Sequence, residues 1–190
     1  MAHNKIILSS GSPRRQELLK EAGIKYQLRV IETDETFPAD LKVEQVAEFI
    51  AKAKADAHNN MISPDEIVIT ADTVVAMDGK IYGKPTSKED AINMLCTFSD
   101  KTHQVFTGVC IKSSTKSTSF TCKSDVTFAP ISNEEAEFYF DLDNPMDKAG
   151  SYGIQDWIGR TKVVNIQGSY TNIMGLPVPQ LISELKSFDS

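Results

Sequence analysis

Two stretches of alternating apolar residues constrain this chain more than any other feature. One carries Val105, Thr107, Val109 and Ile111, the other Phe120, Cys122, Val126 and Phe128, with a Ser/Thr-rich turn between them. A period of two lines one face of a sheet with one set of side chains, and a short polar connection returns the second strand beside the first. The two read as an antiparallel hairpin, which argues against an all-parallel doubly wound domain.

Helices and strands alternate around that hairpin. Residues 5–9 read as a short buried strand, and Gly11-Ser12-Pro13 opens a helix that carries Leu18, Leu19 and Ala22 and stops at Gly23. Tyr26, Leu28 and Val30 suggest a second strand before an acidic, Pro-containing loop over 32–40. Val43, Val46, Ala47, Ile50 and Ala57 recur at helical spacing and predict an amphipathic helix over about 43–57. Ile67-Val68-Ile69 form a strand that runs into Ala71-Asp72-Thr73-Val74-Val75, and Asp78-Gly79 turns the chain back into Ile81-Tyr82. Ser87 with Asp90, and Ser132 with Glu135, have the spacing of helix caps. Val163, Val164 and Ile166 mark a late strand, and Leu181, Ile182, Leu185 and Phe188 a final helix. The expected class is α/β, a mixed sheet flanked by helices. With 190 residues, 41% of them hydrophobic, and no repeat or clear linker, a single domain over 1–190 is expected.

The net charge of −6 gives no general attraction to nucleic acid or to an anionic membrane, so an anionic ligand must meet a local basic cluster. Cys96, Cys110 and Cys122 lack zinc-binding spacing and read as reduced core thiols. The apolar run Ile6-Ile7-Leu8 is too short for a signal peptide or a membrane span, so the cytoplasm is expected. His3, His58 and His103 are scattered and support neither a catalytic triad nor a histidine metal cluster.

Several segments carry chemistry. In Ser9-Ser10-Gly11-Ser12-Pro13-Arg14-Arg15, small residues open the backbone, Ser12 can cap the helix, and two arginines stand in its first turn. Amide N–H groups, the helix dipole and forked guanidinium donors together suit a phosphate, although a plain capped surface helix has the same sequence. At about 100° per residue Lys54 lies roughly 20° from Val43, within the apolar stripe, whereas Lys52 falls on the opposite face. An inward ammonium must reach water or meet an anion. Asp72, which ends an apolar strand, is a candidate general base or metal ligand, or else a strand-end residue bonding the local backbone. Glu35 in the acidic loop could add an oxygen ligand for Mg²⁺, or the loop simply faces solvent. Gly83-Lys84-Pro85 holds a lysine in a stiff turn, where its ammonium could reach a phosphate or is simply solvated. The stretch from Asp147 through Gly150-Ser151-Tyr152-Gly153-Ile154-Gln155 combines two glycines with an amide suited to a base edge, or is an ordinary loop.

Taken in order along nearly the whole chain, these segments resemble the Maf family. The arginine loop is similar to its opening signature, Ala71-Asp72-Thr73 with Gly83-Lys84-Pro85 to its central segment, and Asp147-Lys148-Ala149-Gly150-x-Tyr152-Gly153-Ile154-Gln155 to its later motif. The resemblance implies a fold like that of inosine triphosphatases, elongated, with two lobes and a cleft, and commonly a homodimer. It implies a pyrophosphatase that cuts dTTP and UTP to monophosphate and pyrophosphate with a divalent metal cation, Mg²⁺ or Mn²⁺. Modified pyrimidine nucleotides in a house-cleaning role are a second substrate class, and a nucleotide-sensing regulator of septum formation is the alternative. On the same resemblance Asp72 is the proton acceptor. Arg14, Thr73 and Gln155 match selectivity positions. Ser12, Arg15, Glu35, Lys54 and Lys84 match polar positions around triphosphate and metal. Two departures stand out: Thr70 where many members have Gly, and Asp156-Trp157-Ile158 where a Gly-rich stretch is usual.

Overall fold

The computed structural model describes residues 5–188. His3 and the residues before β1 lie outside them. Strands β1 (Lys5–Leu8), β2 (Gln27–Leu28), β3 (Glu66–Met77), β4 (Lys80–Tyr82), β5 (Thr102–Lys112), β6 (Ser117–Phe128) and β7 (Val163–Gln167) form one mixed sheet. Its strand order is β2-β1-β3-β5-β6-β7, with β4 paired to β3. The helices are α1 (Pro13–Glu21), α2 (Val43–Asp56), α3 (Lys88–Phe98), α4 (Asn133–Asp143), α5 (Trp157–Lys162), α6 (Tyr170–Ile173) and α7 (Val178–Phe188). Among the described residues no helix is long and apolar enough to cross a membrane.

The chain divides into two compact units. The first comprises the chain up to Asp72, Thr107–Cys122 and the chain from Gly175; the second comprises Thr73–Phe106 and Lys123–Met174. In the first, β1 runs parallel to both β2 and β3, with Lys5 opposite Glu66 and Leu8 opposite Ile69. Parallel pairing here follows from the strand, loop, helix order at the start of the chain. Buried Val46, Ala47, Ile50, Ala51 and Ala55 give α2 its inward face, and Ala51 and Ala55 pack on Cys110 of β5. In the second unit, Asp78 (φ 53°) and Gly79 (φ 76°) occupy the left-handed region, as a two-residue hairpin turn requires, and join β3 to antiparallel β4. Its core packs Leu95 and Phe98 of α3, Ala136 and Tyr139 of α4, and Val126 and Phe128 of β6.

The mixed sheet flanked by helices matches the expectation, with local differences. β2 has only two residues, Gln27 and Leu28, paired with Ile7 and Leu8 of β1, and Val30 lies beyond it, exposed. β3 does not end at Asp72 but continues to Met77, so Asp72 is a mid-strand residue. Ser132 and Glu135 form the reciprocal capping box, whereas Ser87 accepts from the Asp90 N–H and the Asp90 carboxylate turns to the Thr86 N–H. The three cysteines are free thiols, Cys110 buried and the other two half-buried.

Candidate active site

An ammonium on the apolar face of a helix needs a partner, and Lys54 has two. Its Nζ is 2.8 Å from Asp72 Oδ1 and 2.7 Å from Glu35 Oε1. The Lys54 and Asp72 side chains are 15% and 14% exposed and Glu35 is 58% exposed, so a desolvated ion pair is flanked by a carboxylate in contact with water. Lys52 pairs instead with Glu48, one turn back on the outer face. The Thr70 hydroxyl donates to the Ala51 carbonyl at 2.6 Å, three residues before Lys54 and two before Asp72. That bond pins β3 to α2 next to the ion pair and gives the departure from glycine at position 70 a structural purpose.

Arg15 ties together three separate stretches of the first unit. Its Nε donates to the Gly175 carbonyl at 2.7 Å, and its Nη1 to the Ala71 carbonyl at 2.9 Å and to Ser10 Oγ at 3.3 Å. The fork of fixed donors thus spans the loop before α1, the residue preceding Asp72 and the approach to α7. Burial lowers the guanidinium's pKa from its ordinary value, while Asp72 pulls it back up; an arginine keeps its charge at neutral pH in either case.

Ser12 is the N-cap residue of α1, but its hydroxyl does not cap the helix. Its N–H donates to Ser10 Oγ at 3.2 Å, and Pro13 occupies the first helical turn, where it needs no donor. Arg14 follows, half-buried. Ser9 is held separately: its N–H donates to the Ile69 carbonyl at 2.9 Å, and its hydroxyl lies 2.9 Å from Nε2 of buried His58. Burial lowers the pKa of His58. Ser10 and Ala71 stand inside the sequence motifs without a side-chain or carbonyl role of their own there, His58 stands apart from any motif, and Gly175 carries no motif at all. The Gly175-Leu176-Pro177 run before α7 was the available signal for one of them.

Thr73, Lys84 and Gln155 belong to the second unit. Thr73 follows Asp72 directly on β3 and is half-buried. Lys84 is exposed, and the Gly150 N–H donates to the Gly83 carbonyl beside it at 3.0 Å, which joins the Gly-Lys-Pro turn to the loop leading to Gln155. Gly150 has φ +69°, and a Cβ there would meet Val75 Cγ1 at 2.9 Å, so this contact requires glycine.

Among the described residues no cluster of three or more His, Cys, Asp or Glu side chains could hold a metal by itself. Glu35 and Asp72 nevertheless place two carboxylates around one cation, the Lys54 ammonium. Such a pair of hard oxygen donors suits Mg²⁺ or Mn²⁺ when phosphate oxygens from a ligand complete the set.

Comparison with known proteins bears on this geometry. The model of the family described as Maf-like protein matches residues 5–188. The chain is 50% identical to a dTTP/UTP pyrophosphatase of Bacteroides thetaiotaomicron, over 95% of this chain and 94% of the relative. It is 52% identical to one of Phocaeicola vulgatus, over 96% and 95%, and 47% identical to one of Porphyromonas gingivalis, over 97% and 94%. The structure of the Staphylococcus aureus Ham1 protein superposes with a TM-score of 0.52 at 15% identity, covering 97% of this chain and 99% of that one, a likeness of fold. The family match runs the length of the described chain and includes every segment of the candidate site: the chain belongs to the Maf family.

Proposed function

We propose that this protein is a nucleoside triphosphate pyrophosphatase that hydrolyses dTTP and UTP to the monophosphate and pyrophosphate. The observation that carries the reading is the Lys54 ammonium held between Asp72 and Glu35 at 2.8 and 2.7 Å. It is supported by the dTTP/UTP pyrophosphatase names of relatives about half identical over nearly the full length of both chains.

In this reading Asp72 accepts a proton from water as the water oxygen attacks the α-phosphorus, and the bond to the β-phosphate bridging oxygen breaks to release pyrophosphate. Lys54 holds the Asp72 carboxylate in place and adds positive charge beside it. Arg14, Arg15 and Lys84 supply cationic donors toward the triphosphate, Ser12 a hydroxyl, and Thr73 and Gln155 selectivity for the base. Asp72 and Glu35 would hold a divalent cation, which when bound offsets charge on the phosphates. The same reading takes the protein as cytoplasmic and homodimeric, the latter checked by light scattering on the purified protein.

Incubation with dTTP, UTP, CTP, GTP, 5-methyl-UTP and pseudo-UTP, each with Mg²⁺ or Mn²⁺, followed by assay of pyrophosphate and monophosphate, tests the reading. Stoichiometric release, fastest with the uracil and thymine nucleotides, is expected. Nucleotide binding without release would sink it in favour of a sensor.

A further inference from the structure

We infer that Tyr139 and Asp156 are positioning residues that hold Gln155 in place and thereby set base selectivity. The inference rests on the proposed role of Gln155 in reading the base. Gln155 sits in a tight turn closed by the Asp156 N–H donating to the Gly153 carbonyl at 3.1 Å. Tyr139, fully buried on α4, contacts both ends of that turn. Its hydroxyl donates to Asp156 Oδ2 at 2.7 Å and accepts from the Gly153 N–H at 3.1 Å. Lys148 Nζ lies 3.4 Å from the same Asp156 oxygen.

Two details mark this as a built arrangement. Asp156 is the N-cap residue of α5, where an Asp side chain ordinarily accepts from the first turn, yet its carboxylate is turned away from the helix. The first helical N–H, that of Trp157, donates instead to Asp143 Oδ2 at 3.1 Å. Gly153 leaves room for the diverted carboxylate, since a Cβ there would stand 2.3 Å from Asp156 Oδ2. Just before the turn, the buried Tyr152 hydroxyl lies 2.8 Å from His103 Nε2, so the segment is anchored on either side of Gln155. The Asp156-Trp157-Ile158 departure is thus an alternative support for the turn.

The test compares wild type, Gln155→Ala, Tyr139→Phe, Asp156→Asn and the double variant Tyr139→Phe/Gln155→Ala. For each, kcat and KM are measured on dTTP and CTP, with thermal unfolding alongside. Tyr139→Phe keeps the ring and removes both hydrogen bonds; Asp156→Asn keeps the volume and removes the charge, and serves if the first variant does not fold. Expected is a loss of about tenfold in the dTTP-to-CTP ratio of kcat/KM, carried by KM, in either single variant. The double variant should lose no more selectivity than Gln155→Ala alone. An unchanged ratio in Tyr139→Phe and Asp156→Asn while Gln155→Ala shifts it overturns this inference alone, as do losses that simply add. An unchanged ratio in Gln155→Ala removes the base-reading role and this inference with it, and a wild type that releases no pyrophosphate removes the proposed function itself.

Discussion

Lys54 Nζ on α2 and Asp72 Oδ1 on β3 lie 2.8 Å apart, both largely withdrawn from solvent. An ammonium on the apolar face of a helix is unfavourable without a counter-charge, and a mid-strand carboxylate carries the same penalty. Each resolves the other's burial, and Glu35 leaves the pair in contact with water. The ammonium also fixes the direction of the Asp72 carboxylate, since one of its oxygens is committed to Lys54.

Replacing Asp72 by Asn keeps the shape of the side chain and removes its basicity. Turnover should fall by about 10²-fold or more, the usual loss on removing a general base. Steady-state pyrophosphate release measures it, and near-normal turnover in Asp72→Asn would exclude Asp72 as the acceptor.

Lys54→Met retains the length of the side chain and leaves Asp72 without the cation it faces. The expected cost is about 1–3 kcal/mol of stability, the range for a partly buried polar group deprived of its partner. Glu35 adds little, being mostly exposed. Denaturant unfolding and turnover should both show losses; a variant with wild-type midpoint and rate would contradict the central place given to this pair.

What was legible in the sequence had a local physical signature. The inward position of Lys54 follows from helical geometry over eleven residues, the Asp78-Gly79 turn from the need for two left-handed residues, and the Ser132–Glu135 box from a three-residue spacing. The contacts without such a signature join distant parts of the chain: Arg15 to the carbonyls of Ala71 and Gly175, and Tyr139 to Asp156. A backbone carbonyl has no sequence signature, and α5 and α6, with six and four residues, are too short to show a helical period. Ser12 stood at a correctly predicted helix start, but the neighbouring Ser10 receives its N–H, so its side-chain role could not be read from position alone.

His103 gives the stability a pH dependence of known sign. It is fully buried among Phe98, Phe128 and Tyr152, and burial pushes its pKa down from 6.5 to about 4. The unfolded chain therefore binds a proton between these values that the folded chain does not, so stability is full above pH 6.5 and declines as pH falls toward 4. The loss amounts to up to about 3 kcal/mol. His58, whose pKa burial also lowers, acts in the same direction. Melting temperatures between pH 7.5 and 4.5 should fall less steeply for His103→Gln than for wild type; equal slopes would show that His103 does not carry the effect.

Gly108 on β5 tests how closely α2 must approach the sheet. A Cβ at this position would stand 2.2 Å from the Glu48 nitrogen and 2.3 Å from the Ala47 carbonyl carbon, backbone atoms that cannot rotate away. Gly108→Ala must therefore displace α2 or distort β5, at about 1–3 kcal/mol or more for such overpacking. Because α2 also carries Lys54, a displacement changes its distance to Asp72, and turnover should fall together with the melting temperature. Gly11→Ala is the control, since a methyl there meets nothing within 4 Å and should leave the melting temperature unchanged. A Gly108→Ala protein with wild-type stability would mean that α2 does not rest on β5 at this point. One destabilised but fully active would mean that the Lys54–Asp72 distance tolerates a shift of the helix.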